Sequence, residues 1–213
     1  MILFIFEGKD DKTYFESIKR LFFPEKSDTF VCTYNSNIYS LYSKLQDHDT
    51  LHGMLEVNTV SVFKEILLER GDETLKDIRE DEVSEIYLFF DYDFQENART
   101  LEENNKRLSE LLEYFTDETG TGKLYINYPM VESLRYTKQL PDNDYWKYTV
   151  TRKKCQEDNF KHQVHEFSFY GANLDNQLSK YVEAEDCKVA ILNAFPIFLF
   201  EYFGKKIIKA DMK

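Results

Sequence analysis

The stretch that decides the fold is EIYLFFDYD, residues 85–93. Its central residues, 86–90, are apolar, and two carboxylates, Asp91 and Asp93, follow with one residue between them. A short apolar run bounded by charge predicts a strand that is buried on both faces of a sheet. Alternate residues of a strand share a face, so Asp91 and Asp93 are expected on one side of its carboxyl end. Ligands bind at that end in open α/β sheets, and we expect a functional site there.

Two other apolar runs also end close to a carboxylate. Residues 2–6 and residues 124–128 are mostly apolar, and a glutamate follows each run within four positions. With a shorter strand predicted over residues 29–33, the alternation of strands and helical segments indicates an α/β fold, a parallel sheet flanked by helices. The carboxylates expected to meet at the carboxyl edge of that sheet are Glu7, Asp91, Asp93 and Glu132.

Apolar residues recur at helical spacing between the predicted strands. The predicted helical segments lie within residues 14–22, 38–45, 60–68 and 108–115. Asp10 or Asp11 is expected to cap the first helix, and Asn35 or Ser36 the second, because short acceptor side chains bind the first helical amides. Exposed connections are expected over residues 72–84 and 94–103.

The character of the sequence changes near residue 139. Residues 1–138 are predicted to form the α/β domain, and residues 139–213 a C-terminal helical extension that packs on the core or on a partner. Within the extension, apolar segments predict helices over residues 172–182 and 187–203.

Composition restricts the function classes. Acidic residues number 39 against 27 lysines and arginines, and the net charge of −12 disfavours a protein that binds nucleic acid unaided. A carboxylate-rich site can still reach phosphates through divalent cations. The three cysteines lack metal-type spacing and predict reduced thiols. No apolar run approaches the roughly 18 residues of a membrane span, so we expect a soluble cytoplasmic protein without a signal peptide.

Four carboxylates in one place repel one another, and such a site normally binds cations. Hard oxygen ligands favour Mg²⁺ or Mn²⁺, and no cysteine and histidine set with zinc spacing competes. Two such ions can position a phosphate and activate water for in-line attack. Glu7 could be a metal ligand or a general base, and both roles stay open. The alternative for each carboxylate is a helix cap or a solvated loop residue.

Basic residues near these carboxylates are candidates for contact with a phosphate or nucleic acid. Two of them lie close to Glu7, one lies just past Glu132, and three form the densest basic run of the chain. In that order they are Lys9, Lys12, Arg135, Arg152, Lys153 and Lys154. The alternative for each is an ordinary solvent-exposed charge.

One family combines these features. An apolar strand ending in Glu7-Gly8, with Asp11 four residues after Glu7, and a second strand ending in Asp91-Tyr92-Asp93 resemble the TOPRIM domain. That domain occurs in topoisomerases, bacterial primases and OLD-family nucleases. The EGKDD start and the NYPMVES segment are most similar to small standalone TOPRIM proteins of bacterial anti-phage systems, such as the RloB-like proteins and the effector subunit of the PARIS system. The resemblance covers roughly residues 1–135.

The resemblance implies a TOPRIM-like catalytic domain in which Glu7, Asp91 and Asp93 hold Mg²⁺ or Mn²⁺. Glu132 is implied as a fourth catalytic carboxylate through its position after the fourth predicted strand. The implied activity is metal-dependent phosphodiester hydrolysis of RNA or DNA by a defence effector. An ATPase subunit is the implied partner, and self-association stays open. One departure is Phe94, since many members carry glycine shortly after the second aspartate.

Two other functions remain open. The first is a non-catalytic, TOPRIM-shaped acidic module that binds Mg²⁺ or a partner protein without cleaving anything. The second is a phosphotransfer or nucleotidyl enzyme that uses the same metals on a small substrate. The sequence disfavours the second, because it contains no glycine-rich phosphate-binding loop of the P-loop or dinucleotide type.

Overall fold

The computed structural model describes residues 1–23, 28–47, 58–92, 99–127, 131, 149–151, 188–190 and 193–203. The chain divides into two compact units, Met1–Leu124 and Tyr125–Lys213. The boundary predicted from the sequence lies 14 residues further on, at residue 138. Each unit is described by itself below.

A five-stranded sheet with strand order β2-β1-β3-β5-β4 organises the first unit. In chain order the elements are β1 (Ile2–Phe6), α1 (Lys9–Phe22), β2 (Thr29–Thr33), α2 (Ile38–Asp47), α3 (Thr59–Glu69), β3 (Glu85–Asp91), α4 (Leu101–Tyr114), β4 (Thr116–Asp117) and β5 (Gly122–Asn127), the last of which crosses into the second unit. Strand β1 is parallel to both β2 and β3, whereas β4 is antiparallel to β5. The predicted α/β class, with a mostly parallel sheet and flanking helices, is confirmed.

The register of the three parallel strands aligns their carboxyl ends. Phe6, the last residue of β1, lies opposite Thr33 of β2 and Phe89 of β3. The residues that follow Phe6 and Phe89 therefore emerge at the same edge of the sheet. This alignment brings Glu7 and Asp91 together, as the sequence predicts.

Stacked aromatic rings fix β1 against β3 on one face of the sheet. The ring centroids of Phe4 and Tyr87 are 5.5 Å apart, and those of Phe6 and Phe89 are 5.1 Å apart. Phe15 of α1 packs on Phe4 with a centroid separation of 4.4 Å, and all five side chains are buried. Close-packed aromatic interiors resist sliding, so this cluster holds the two strand ends in register.

Rings also connect the sheet to a helix on its other face. Tyr34, just after β2, meets Phe63 of α3 and Phe90 of β3 edge-on, with both centroid separations at 5.6 Å. Phe89 and Phe90 are consecutive strand residues and point to opposite faces. Burial on both faces explains why β1 and β3 are continuous apolar runs in the sequence.

Helix α1 begins differently from the prediction. Gly8, and not Asp10 or Asp11, occupies the N-cap position, with extended backbone at φ −142°. Asp11 lies inside the first turn, where its Oδ2 accepts a hydrogen bond from the Gly8 amide at 3.2 Å. The acidic side chain therefore reaches back to the cap from within the helix, the reverse half of a capping box.

Helix α2 is also capped by a different residue. Asn37 Oδ1 accepts a hydrogen bond from the Ser40 amide at 2.9 Å, so Asn37 takes the role predicted for Asn35 or Ser36. Asn35 instead adopts a left-handed backbone conformation with φ 55°. Asparagine tolerates that region better than most residues, which suits the turn between β2 and α2.

Helix α4 starts at Leu101, earlier than predicted. The prediction of a loop over residues 94–103 is therefore wrong for residues 101–103. Thr100 caps the helix: its Oγ1 accepts from the Glu103 amide at 3.2 Å, and the Glu103 carboxylate accepts from the Thr100 amide at 2.9 Å. This capping box supplies two hydrogen bonds to the first turn. Residues 94–98 lie outside the described residues.

Two other features differ from the prediction. The two-residue strand β4 was not predicted, because Thr116 and Asp117 are exposed and carry no apolar pattern. The connection over residues 72–84 is mostly exposed, as expected, but it contains a 3₁₀ turn at Glu80–Glu82 and buries Leu75.

The second unit is not purely helical in its described parts. Strands β6 (Thr149–Thr151) and β7 (Lys188–Ala190) form an antiparallel pair, and helix α5 spans Ala194–Phe203. The helix predicted over residues 187–203 is therefore correct only from Ala194 onward, and the one predicted over residues 172–182 lies outside the described residues. β-branched residues in β6 favour a strand. In the described residues, no helix is long and apolar enough to cross a membrane.

Candidate acidic site at the carboxyl edge of the sheet

The main chain of Glu7 is held by β3 and by the turn that follows β2. Its amide donates to the carbonyl of Phe89 at 2.9 Å, and its carbonyl accepts from the amide of Asn35 at 2.8 Å. The next amide, that of Gly8, donates to the carboxylate of the buried residue Asp11. The amide and carbonyl of Glu7 and the amide of Gly8 are therefore all hydrogen-bonded, and these bonds fix the position of the Glu7 Cα atom.

The carboxylate of Glu7 contacts the end of β3 directly. The main-chain amide of Asp91 donates a hydrogen bond to Glu7 Oε2 at 3.0 Å. Both residues are partly buried. A backbone amide that binds a carboxylate orients it, so this bond holds the Glu7 side chain beside the end of β3.

The residue after Asp91 is held by two helices. The carbonyl of Tyr92 accepts a hydrogen bond from the hydroxyl of Tyr39, in α2, at 3.0 Å. The hydroxyl of Tyr92 donates to Oδ1 of Asn105, in α4. Tyr92 is 1% exposed; its bond with Tyr39 is buried, and its bond with Asn105 is partly buried. Neither Tyr39 nor Asn105 belongs to a motif around the aspartates, and no sequence pattern predicts their contacts.

Arg70 holds the turn after β2. Arg70 donates to the Tyr34 carbonyl at 2.7 Å, and its guanidinium lies 4.5 Å from the centre of the Tyr34 ring. The next residue, Asn35, donates to Glu7. Arg70 therefore supports the turn that supports Glu7, and no feature of the sequence around it indicates this role.

The structure places only part of the predicted site. It brings Glu7 and Asp91 into contact, and it places Lys9 and Lys12 in the first four residues of α1, with Lys9 exposed and Lys12 partly buried. The other predicted site residues lie outside the described parts of the chain: Asp93, Glu132, Arg135, Arg152, Lys153 and Lys154.

The donor chemistry of the contacting pair suits a hard cation. Glu7 and Asp91 offer carboxylate oxygens, the ligands that Mg²⁺ and Mn²⁺ prefer. Mg²⁺ is commonly bound by one or two carboxylates together with water and substrate phosphates, and a pair therefore fits such an ion. Among the described residues, no group of three or more histidines, cysteines, aspartates or glutamates could hold a metal ion.

The described cysteine does not belong to the site. Cys32 of β2 is buried, and burial raises the pKa of its thiol to about 12. The negative charge of Asp72 contributes to this rise of the pKa, whereas the positive charge of Lys12 opposes it. A neutral, enclosed thiol is neither a nucleophile nor a metal ligand, so Cys32 is a core residue.

No protein-family model, curated protein or solved structure matches the chain. The TOPRIM resemblance therefore stays a prediction from the motifs of this sequence.

Proposed function

We propose that the chain is a TOPRIM-type, Mg²⁺- or Mn²⁺-dependent nuclease that hydrolyses phosphodiester bonds of RNA or DNA as an anti-phage defence effector. The observation that carries the proposal is the contact between the Asp91 amide and the Glu7 carboxylate. It joins two acidic residues at the carboxyl edge of a mostly parallel sheet, where ligands of open α/β folds bind. The residues concerned are those that the TOPRIM resemblance marks as metal ligands.

In this mechanism Glu7 and Asp91 would hold the metal, and the Asp91 amide restrains the Glu7 carboxylate through their hydrogen bond. A bound divalent ion supplies charge neutralisation at the phosphate and lowers the pKa of a coordinated water. Asp93 and Glu132 complete the carboxylate set in the proposal. Lys9 and Lys12 lie in the first four residues of α1, where Asp10 and Asp11 offset their charge, and these two lysines are the proposed phosphate contacts of this helix.

The acidity of the chain indicates how a polyanion would bind. With a net charge of −12, the chain repels nucleic acid at long range. Metal ions offset this repulsion locally, and a partner subunit can offset it over a larger surface. We propose an ATPase as that partner, with Arg135 and the run of Arg152, Lys153 and Lys154 as further phosphate contacts, and a cytoplasmic location.

The test is cleavage of tRNA, single-stranded RNA and plasmid DNA in Mg²⁺, in Mn²⁺ and in EDTA. The informative variants are Glu7→Gln and Asp91→Asn. Glutamine keeps an oxygen that can accept the Asp91 amide, so Glu7→Gln removes the charge while the contact is retained. Matched controls are Glu16→Gln and Asp77→Asn, which make the same changes at exposed positions away from the sheet edge.

We expect cleavage that requires the metal, falls about 100-fold or more in Glu7→Gln and Asp91→Asn, and is unchanged in both controls. Full activity in both site variants would contradict the proposal. Mn²⁺ binding that depends on Glu7, without cleavage of any substrate, would instead support the non-catalytic acidic module. Co-expression with neighbouring genes then shows whether a partner activates the chain.

A further inference from the structure

Tyr39 joins α2 to the end of β3 through one buried hydrogen bond. Its hydroxyl donates to the carbonyl of Tyr92 at 3.0 Å, and the two residues are 53 positions apart in the chain. Tyr39 is 2% exposed, so water does not readily replace this donor. Buried carbonyls are almost always paired, and a variant without the Tyr39 hydroxyl loses this donor to the Tyr92 carbonyl.

The same stretch of main chain is held on its other side by the sheet. The carbonyl of Phe89 accepts from the Glu7 amide at 2.9 Å, in continuation of the pairing between β1 and β3. Asp91 lies between this point and Tyr92. The Asp91 amide binds the Glu7 carboxylate. The Phe89 carbonyl, earlier in the chain, and the Tyr92 carbonyl, later in the chain, are each held by a hydrogen bond.

The side chain of Tyr92 provides a second restraint. Its hydroxyl donates to Asn105 Oδ1, in α4, while its carbonyl is bound by Tyr39, in α2. A buried residue held at both its backbone and its side chain has little freedom to rotate about φ and ψ. Both bonds hold Tyr92, the residue that directly follows Asp91.

From this geometry we infer that Tyr39 is a positioning residue that holds the Asp91 amide against the Glu7 carboxylate. An effect of Tyr39 on metal affinity rests on the proposed function. Its effect on the hydrogen bond between Asp91 and Glu7 does not. Tyr39 does not touch a reacting atom. It acts through Tyr92, and its effect is on how well two ligand-bearing residues are preorganised before a metal arrives.

The test compares Tyr39→Phe with Tyr42→Phe. Both remove one hydroxyl from a buried tyrosine of α2, but Tyr42 bonds Glu110 and Gln46 and has no bond to β3 or to Tyr92 among those described. The readout is hydrogen exchange of the Asp91 amide by NMR on the full chain, with global stability measured in urea. Global unfolding can then be separated from local opening.

We expect Asp91 exchange to be about tenfold faster in Tyr39→Phe, the effect of one lost buried hydrogen bond, and to stay within about twofold of wild type in Tyr42→Phe after correction for stability. Unchanged Asp91 exchange in Tyr39→Phe, or equal acceleration in both variants, would overturn the inference. Asn105→Ala supplies an independent check, because it removes the other restraint on Tyr92 and should accelerate the same amide.

Mn²⁺ titration followed by electron paramagnetic resonance separates this inference from the proposed function. If both hold, Tyr39→Phe weakens Mn²⁺ binding by about three- to tenfold, while Tyr42→Phe leaves it unchanged. If wild type binds no Mn²⁺, the proposed function fails, and the exchange comparison still decides whether Tyr39 positions the contact. Normal Mn²⁺ affinity in Tyr39→Phe, combined with faster exchange, would overturn the consequence for metal binding alone.

Discussion

The main-chain amide of Asp91 donates a hydrogen bond to the carboxylate of Glu7 at 3.0 Å, across 84 positions of sequence. The orientation of one acidic side chain is therefore set by the backbone of another acidic residue. A backbone donor on a sheet cannot rotate away as a side chain can, and the bond to a charged acceptor is stronger than a neutral one. The sheet that organises the fold thus also sets the geometry of the candidate site.

Substitutions at Glu7 should separate the role of its acceptor oxygen from the role of its charge. Glu7→Ala removes the acceptor of the Asp91 amide, and we expect the free energy of unfolding to fall by about 1–2 kcal/mol. Glu7→Gln retains an acceptor and should lose less than about half of that. Urea denaturation measures both variants, with Glu16→Ala as the exposed control on α1. Equal stabilities for the two Glu7 variants would contradict a supporting role for this hydrogen bond.

Gly122 should be one of the least replaceable residues of the sheet. It has φ 105°, and a Cβ there would lie 2.8 Å from Leu88 Cδ1 and 3.2 Å from Ile86 Cγ2. Gly122→Ala therefore combines backbone strain with overpacking, and we expect it to lower stability by about 2–4 kcal/mol.

Gly71 provides the matched control for this substitution. It also has positive φ, 76°, but no atom lies within 4 Å of the point that a Cβ would occupy. Gly71→Ala should show the cost of the backbone conformation alone, about 1 kcal/mol. Both variants can be measured by thermal or urea unfolding. A Gly71→Ala variant as unstable as Gly122→Ala would show that steric overlap with Leu88 and Ile86 is not what makes Gly122 hard to replace.

Strands β1 and β3 could be predicted because burial on both faces of the sheet requires a continuous run of apolar residues. Strands β1 and β3 are continuous apolar runs, and each meets a carboxylate where the sheet ends. The exposed strand β4 has no such pattern, since its pairing with β5 is made by the backbone. Similarly, β7 lies in an apolar segment that predicts a helix, and its pairing with β6 makes it a strand.

The closeness of Glu7 and Asp91 could be predicted from the sequence, whereas the contacts that support them could not. Glu7 and Asp91 follow from strand ends, but the form of their contact depends on register and on a backbone amide. Tyr39 and Arg70 act through carbonyl groups of residues that are distant in sequence. Backbone acceptors are the same at every position, so no residue pattern marks such partners.

The stability of α4 should depend on the charge of Glu103. Hydrogen bonds from the Thr100 amide and then from its hydroxyl lower the pKa of this carboxyl from its ordinary value of 4.5. A lowered pKa in the folded state stabilises the protein above pH 4.5, and that contribution is lost as the pH falls through the folded-state value. Glu103→Gln should therefore be less stable than wild type at pH 7, with the difference closing toward pH 3.

The control for this pH dependence is Glu113→Gln, an exposed change in the last turn of the same helix. A negative charge there opposes the helix dipole, so its removal should be neutral or slightly stabilising at pH 7. Urea unfolding at several pH values measures both variants. A stability difference for Glu103→Gln that is constant from pH 7 to pH 3 would show that the charge of Glu103 does not contribute.

Cys32 should resist alkylation in the folded protein. Burial, reinforced by the charge of Asp72, raises its pKa to about 12, so only about one thiol in ten thousand is ionised at pH 8. The side chain is also 2% exposed, which blocks the reagent. Iodoacetamide at pH 8 should therefore modify Cys32 at least about 100-fold more slowly in native protein than in urea. Mass spectrometry of the peptide that contains Cys32 measures both rates, and rapid modification under native conditions would show that β2 opens to solvent far more readily than its packing indicates.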